Sequence, residues 1–203
     1  MSENDTIFNT AMSSFPFVDN GRINTQEFLD ASKGVSLLVE KFGTVFTPIT
    51  YDLNQNITKI ETKFLENKEK FKYLDDLVIE ESKTSSIVVT DALQWLRRGL
   101  HFMWHYFDLI LTNENGNSSD WMKIAYERTL KIYHGWMGQT LFNIVVKFAP
   151  SRNDLFLVFA LTQKGKDELV KSHMRQFLIN LKICIDHLIQ FYLAHGLECS
   201  DRV

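Results

Sequence analysis

The stretch VVTDALQWLRRGLHFMWHYFDLIL, residues 88–111, decides the fold class of this chain. Its apolar residues recur with the spacing of an α-helix, and it contains no proline. Strand-like alternation of apolar and polar residues does not persist anywhere in the sequence for long enough to compete with a helix. We therefore predict that residues 88–111 form the most apolar helix of an all-α protein.

Helical periodicity continues on both sides of this segment. Gly43 is expected to end one helix, and Pro48 is expected in the first turn of the next. The polar run 113–117 separates the apolar helix from a long one that Ser119 or Asp120 could cap. Further helices are predicted at 25–42, 48–66, 69–81, 119–148, 154–161 and 167–195. Together they predict one domain over residues 1–203, with its core at about 25–195 and about eight helices.

The composition suits a sizeable core and argues against several classes of function. Hydrophobic residues make up 45% of the 203 residues, and 16 residues are Phe. A net charge of −3 predicts no broad attraction to nucleic acid or to an anionic membrane. Neither a signal peptide nor a run of about 20 apolar residues is visible, so no membrane span is expected. Cys184 and Cys199 form no CxxC pair, which favours a reduced, cytoplasmic setting.

Asp52, Asn56 and Lys59 form the first candidate site. At about 100° per residue, positions i, i+4 and i+7 fall within about 60° of one another on a helix. A carboxylate, an amide and an ammonium on one face match a ligand with several hydroxyl and amide groups, such as a sugar. A solvated helix face carries the same residue types, so the triad alone leaves both interpretations open.

Trp95, Arg97 and Arg98 form the second candidate site, because two adjacent arginines interrupt an apolar helix. An indole is a flat surface on which the C–H face of a sugar ring stacks. A guanidinium nearby can hold a carboxylate or backbone carbonyls. The alternative is a core Trp95 with both arginines on the solvated flank of the helix.

The third candidate is Tyr133-His134-Gly135-Trp136, expected inside the helix 119–148. A neutral His134 beside a polar ligand can donate a ring N–H to an amide carbonyl, although a histidine on an apolar helix is more often a core residue. Gly135 inside a helix costs about 1 kcal/mol relative to Ala, which close packing would offset. Trp136 is expected to point away from His134, toward solvent or a membrane interface, with burial in the core as the alternative.

Signals for catalysis or metal binding are weak. His101 and His105 have the i, i+4 spacing of metal ligands, but no Glu or Cys completes a site, so no metal is expected. Asp52 and His134 could act as an acid–base couple in hydrolysis, but no nucleophile accompanies them. No phosphate-binding loop or nucleophile elbow is present.

The three candidate segments, in this order, resemble the glycolipid transfer protein family. The resemblance rests on Val45-Phe46-Thr47-Pro48-Ile49 before Asp52, Asn56-Ile57-Thr58-Lys59, Trp95-Leu96-Arg97-Arg98-Gly99-Leu100, Tyr133-His134-Gly135-Trp136 and Ala149-Pro150. It covers about residues 25–195 and implies an all-α, two-layer helical sandwich that holds one glycosphingolipid.

The resemblance also implies a role for each site residue. Asp52 would bind the ceramide amide N–H and a sugar hydroxyl, and Asn56 and Lys59 would bind sugar hydroxyls. Trp95 would stack under the first sugar, and His134 would donate to the ceramide acyl carbonyl. The apolar tunnel for the lipid chains would be lined by Phe46, Ile49, Phe142, Val146, Leu155 and Phe177.

Other positions bear on specificity and on membrane contact. Trp136 is similar to the Trp with which the family contacts membranes. An indole at Trp95 favours a sugar, because the ceramide-1-phosphate branch has a basic residue there to neutralise the phosphate. Glycolipid-binding members often end in a Tyr that closes over the site, whereas this chain ends Asp201-Arg202-Val203. Asp91, four residues before Trp95, is expected to add a sugar contact or to lie at the rim.

These expectations describe a cytoplasmic, monomeric carrier that transfers a glycosphingolipid between membranes without covalent chemistry or a cofactor. Moving apolar surface into water costs about 25 cal/mol per Å², so a tunnel for the lipid chains lowers the barrier to desorption. Its contact with the membrane would be transient and peripheral, and no nucleic acid is involved. The alternatives are a carrier of the ceramide-1-phosphate type, an enzyme acting on sphingolipids, and a glycolipid sensor or helical interaction module.

Overall fold

The computed structural model of the chain describes residues 2–113 and 115–202. These residues form nine α-helices: α1 Ile7–Thr10, α2 Thr25–Glu40, α3 Thr47–Glu66, α4 Leu74–Glu81, α5 Val88–Thr112, α6 Ser118–Arg128, α7 Trp136–Val145, α8 Arg152–Phe159 and α9 Asp167–Ala194. Short 3-10 helices, Thr44–Phe46 and Val146–Phe148, precede α3 and follow α7. β-pairing in the described residues is limited to two isolated bridges, so the all-α prediction is confirmed.

The apolar helix α5 is central to the packing. It contacts α3, α4, α6 and α9, while α2 packs on α3, and α1 and α8 pack on α9. Gly99 permits a close approach of α5 to α3, because a Cβ at this position would lie only 3.2 Å from Leu53 Cδ2. The two helices therefore form one continuous wall.

The start of α5 is fixed by Glu81, a buried residue at the end of α4. Its carboxylate accepts hydrogen bonds from the backbone N–H groups of Val89 at 2.9 Å and Thr90 at 2.7 Å. The hydroxyls of Thr90 and Ser86 also donate to it. Burial alone would raise the pKa of Glu81, but these donors outweigh burial and the pKa lies below its usual value. Glu81 thus satisfies helix N–H groups that would otherwise lack partners.

As predicted, α2 begins at Thr25 and Pro48 lies in the first turn of α3. Helix α2 ends at Glu40, two residues before the predicted end, and Gly43 follows it at φ 113°. The predicted helix 69–81 is wrong over its first five residues, since α4 begins at Leu74. Residues 72–74 are instead held by the segment 23–25, through Thr25 N to Lys72 O at 2.9 Å and Leu74 N to Ile23 O at 3.0 Å.

The predicted single helix 119–148 is also wrong, because residues 129–135 between α6 and α7 are not α-helical. Thr129 leaves helical backbone angles, at φ −128° and ψ −68°, and its hydroxyl donates to Ala125 O at 2.7 Å. Gly135 is the N-cap of α7, so it carries no cost of glycine inside a helix. His134 therefore lies in a loop and not on a helix.

The α6 cap differs from the prediction as well. Asn117, not Ser119 or Asp120, is the N-cap, and its Oδ1 accepts a hydrogen bond from Asp120 N at 3.1 Å.

The buried core extends beyond the predicted range toward the N-terminus. Ile7, Phe8 and Phe15 are buried, and the Phe8 ring contacts those of Phe159 and Phe177 at centroid distances of 5.3 and 5.6 Å. The apolar pattern here is too short to predict a helix from the sequence.

Within the described residues, α9 is the one helix long and apolar enough to span a bilayer by length and composition. Half of its most apolar stretch of 18 residues is buried inside the protein, and the core helix of a soluble protein can be equally long and apolar. The helix is therefore weak evidence for a membrane span.

Candidate functional site

A cavity of about 510 Å³ lies between α3, α5 and the α6–α7 region. Its polar lining comes from the middle of α3, the first turns of α5 and the loop before α7, and its apolar lining from the start of α3, the middle of α5 and α7. The lining residues are Pro48, Ile49, Asp52, Leu53, Asn56, Lys59, Asp91, Trp95, Gly99, Phe102, Met103, Tyr126, Leu130, His134, Met137, Gly138, Leu141, Phe142 and Val145.

The structure brings the five predicted head-group residues to this one cavity, namely Asp52, Asn56, Lys59, Trp95 and His134. Their binding roles remain predictions. On α3, Asn56 is buried and its Nδ2 donates to Asp52 O at 3.1 Å, which fixes the amide beside the carboxylate.

Asp52 lies in an environment that disfavours its charge. The residue is exposed to solvent and lines the cavity, yet desolvation by the surrounding protein raises its pKa. The Lys59 ammonium and the Asn56 amide act in the opposite direction, and the Asp91 carboxylate adds to the rise.

Trp95 is half-buried and forms one side of an aromatic cluster. The His134 ring lies nearly parallel to it at a centroid distance of 5.9 Å and an angle of 23°, and the Tyr133 ring meets it edge-on at 6.4 Å. The Arg98 guanidinium carbon lies 3.6 Å from the Tyr133 ring centroid and 4.8 Å from that of Trp95. These contacts hold the indole and the loop together.

Arg97 and Arg98 are buried, so the alternative that places them on a solvated flank is wrong. Arg97 Nη2 donates to both carboxylate oxygens of Glu198, at 2.8 and 2.7 Å. Arg98 Nη2 donates to Glu198 at 3.1 Å and to the carbonyl oxygen of Cys199. The sequence predicts such a carboxylate and carbonyl, but it does not identify Glu198, because the two partners lie 101 residues apart.

The residue pattern does not predict two residues that position His134, namely Tyr126 and Gly138. The Tyr126 hydroxyl lies 3.1 Å from His134 Nδ1. A Cβ on Gly138 would lie 2.9 Å from His134 Cγ, so only glycine leaves room for the imidazole. The spacing of Gly138 four residues after His134 is the one signal that could have suggested this contact.

The surroundings of His134 favour its neutral form, which can still donate one ring N–H. Burial, and then the Arg98 charge, lowers the pKa of His134, while burial raises the pKa of Tyr126 to about 12. A neutral imidazole that accepts the phenol O–H at Nδ1 carries its proton on Nε2. That N–H is then available to a ligand carbonyl.

The predicted tunnel residues divide into two groups. Ile49 and Phe142 line the cavity. The other four are buried in the core and are not part of its wall, namely Phe46, Val146, Leu155 and Phe177. A tunnel role for all six remains a prediction.

Trp136, the predicted membrane-contact residue, is 76% exposed at the start of α7. Met137 beside it is 67% exposed, and Ile132, Ile144 and Phe148 are exposed nearby in the chain. The alternative of a buried Trp136 is therefore wrong.

In the described part of the chain, no group of three or more His, Cys, Asp or Glu side chains could hold a metal ion. His101 and His105 do lie close together, at a ring-centroid distance of 4.9 Å. Burial, together with His105, lowers the pKa of His101 to about 4.

Comparison with known proteins shows which family this chain resembles. A family model described as glycolipid transfer protein (GLTP) matches residues 23–160. The glycolipid transfer protein of Danio rerio is 32% identical, over 90% of this chain and 92% of that protein. Human pleckstrin homology domain-containing family A member 8 is also 32% identical over 96% of this chain, which spans 39% of that longer protein.

Solved structures show the same fold. A structure described as showing how FAPP2 selects simple glycosphingolipids using the GLTP fold matches with a TM-score of 0.90 and 28% identity, over 98% of this chain and 100% of that chain. Human ceramide-1-phosphate transfer protein in complex with 12:0 ceramide-1-phosphate matches with a TM-score of 0.78 at 18% identity, over 95% and 94% of the two chains, which shows the fold alone. The predicted fold type is confirmed. The chain belongs to the glycolipid transfer protein family, whose members are lipid transfer proteins and not enzymes.

Proposed function

We propose that this protein binds a glycosphingolipid and transfers it between membranes. The observation that carries the proposal is the convergence of Asp52, Asn56, Lys59, Trp95 and His134 on one cavity that continues into an apolar lining. The polar group supplies hydroxyl and amide partners and a ring surface for a sugar joined to a ceramide. The cavity volume also lies within the range of about 300–1,000 Å³ that is typical of ligand sites.

The apolar chains and the polar head group of such a ligand favour transfer over other roles. Its chains bind by burial of apolar surface, at about 25 cal/mol per Å², which lowers the cost of leaving a bilayer. Its head group binds by hydrogen bonds that leave every covalent bond intact. The relatives named for glycolipid transfer and for glycosphingolipid selection support the same ligand class.

A ceramide-1-phosphate carrier is the second candidate, because several matched structures of the same fold hold that lipid. The lining of this cavity argues against it. Lys59 is the single Lys or Arg among the described lining residues, and an indole faces the cavity at Trp95. A phosphate would therefore meet one cation and two carboxylates, Asp52 and Asp91.

The exposed apolar residues at the start of α7 support a transient membrane contact by Trp136. This contact, together with a monomeric state and a cytoplasmic location, belongs to the proposal. A carrier must leave the membrane again, and an exposed indole on a protein with a net charge of only −3 suits weak attachment.

A vesicle assay tests the ligand class. Transfer of fluorescent galactosylceramide between phosphatidylcholine vesicles should fall to background for Trp95→Ala and for Asp52→Val, with helical circular dichroism unchanged. Asp108→Val is the matched control, because Asp108 lies on α5 outside the cavity lining. Full transfer by both site variants would refute the site, and preferential transfer of ceramide-1-phosphate would favour the second candidate.

A further inference from the structure

Asp91 is a further carboxylate at the proposed head-group site. It is half-buried and lines the same cavity as Asp52, Lys59 and Trp95. It precedes Trp95 by four residues and Gly99 by eight, so the three residues share one face of α5. That face is the one which packs against α3.

Helix capping does not account for this carboxylate. Asp91 lies in the first turn of α5, where an acidic residue also favours the helix dipole. The N–H groups of Val89 and Thr90 are, however, already bonded to Glu81. In the described residues, the Asp91 side chain has no hydrogen bond or ion pair of its own, and its backbone N–H donates to Ile87 O.

The ionisable side chains that line the cavity carry a net negative charge. Lys59 contributes one positive charge, and Asp52 and Asp91 contribute two negative charges. Burial lowers the pKa of His134, which favours its neutral form, and the nearby Arg98 guanidinium is already paired with Glu198. The interaction between Asp91 and Asp52 is repulsive, so a ligand with hydroxyl donors relieves it and an anionic ligand increases it.

We propose that Asp91 is a specificity-determining residue, which accepts a hydrogen bond from a sugar hydroxyl and excludes head groups that carry a sulfate. The inference deepens the proposed function and rests on it. It names the ligand class as glycosphingolipids with an uncharged sugar. A sulfate on the sugar would bring a negative charge toward two carboxylates that a single ammonium balances.

The test compares galactosylceramide with its sulfated form in the vesicle transfer assay. Both lipids are placed in phosphatidylcholine vesicles, so that the bilayer matrix adds little surface charge. Asp91→Asn removes the charge but keeps the size and an acceptor oxygen, which isolates the electrostatic effect. Asp108→Asn makes the same charge change on the same helix, about 25 Å farther along its axis, and serves as the control.

We expect the wild-type protein to transfer galactosylceramide at least about tenfold faster than the sulfated lipid. Asp91→Asn should narrow that ratio by about tenfold, mainly through faster transfer of the sulfated lipid, whereas Asp108→Asn should leave it unchanged. An equal ratio in the wild-type protein and Asp91→Asn would overturn the inference while the proposed function stands. Transfer of neither lipid by the wild-type protein would overturn the proposed function and the inference with it.

Discussion

The two walls of the cavity differ in how deeply they are embedded in the protein. In α5, 14 of 25 residues are buried, whereas in α7 Val145 alone is buried among ten residues, both helices being fully described. Local stability follows burial and packing, so we expect α7 to open at a lower free-energy cost than α5. The difference separates two tasks. Under the proposed function, the wall of α3 and α5 would hold the polar head-group residues in fixed positions, and the wall of α7 would yield to the flexible lipid chains.

The largest effect should follow from removing the anchor of the α5 wall. Glu198→Ala leaves the buried Arg97 and Arg98 guanidiniums without their carboxylate. We expect the free energy of unfolding to fall by about 3 kcal/mol. This value is at the lower end of the range for breaking a buried ion pair, because Glu198 is partly exposed. For a domain of this size, this lowers the melting temperature by about 6–12 °C. Asp201→Ala is the control in the same segment. An equal fall in melting temperature for both variants would contradict the role of Glu198 as the partner of the two arginines.

The next effect should come from the contact between the two walls. Gly138→Ala adds a Cβ that would lie 2.9 Å from His134 Cγ. Overpacking of this size costs about 1–3 kcal/mol, so glycolipid transfer should fall about tenfold or more. Ala also favours the helix by about 1 kcal/mol, so helical content should not fall. Asn143→Ala, at an exposed position of α7, is the control, and unchanged transfer by Gly138→Ala would show that His134 tolerates displacement.

A smaller effect is expected on the outer surface of the α7 wall. Trp136→Ala removes an exposed indole and should reduce transfer from vesicles by several-fold, up to about tenfold. Binding of a water-soluble, short-chain glycolipid should be unaffected, because Trp136 is not part of the cavity lining. Phe17→Ala is a matched control, since Phe17 is 73% exposed far from α7 in sequence. Equal losses for the two variants would argue against a specific membrane contact.

The smallest effect on stability concerns the charge of Asp52. Burial raises its pKa, so the folded protein keeps this proton to a higher pH than the unfolded chain. Stability therefore falls as pH rises through the window between the two pKa values, and the ionised carboxylate is slightly destabilising at pH 7. Asp52→Asn should keep or slightly raise the melting temperature at pH 7 while transfer is lost. A clear fall in melting temperature would mean that Lys59 outweighs both burial and Asp91.

The sequence predicts the α5 wall well and the α7 wall poorly. Residues 52–59 and the segment around Trp95 lie on uninterrupted helices, so residue spacing translates directly into a shared face. His134 also reaches the predicted cavity, but from a loop. The apolar spacing continues through Thr129 and Gly135 without a proline, so periodicity cannot reveal this break.

Residue spacing along a helix does not predict contacts that depend on the tertiary fold. The pairing of Glu198 with Arg97 joins residues about a hundred positions apart. The room that Gly138 leaves for His134 depends on how the loop turns back onto α7. Burial likewise depends on tertiary packing: Leu155 and Phe177 lie on α8 and α9, which pack on each other. Phe46 and Val146 lie on the two 3-10 helices, which pack on α2 and α3 and on α6.

The pairing of Arg97 and Arg98 with Glu198 also has a consequence for synthesis. The arginines are translated 101 and 100 residues before their carboxylate. At about 5–20 residues per second, the nascent chain carries them without this counter-ion for roughly 5–20 s. During that interval, burial of α5 would trap two uncompensated charges. We therefore expect the aromatic cluster around Trp95 to be completed only after residue 198 has left the ribosome. The proposed ligand site is thereby expected to be among the last parts of the protein to form.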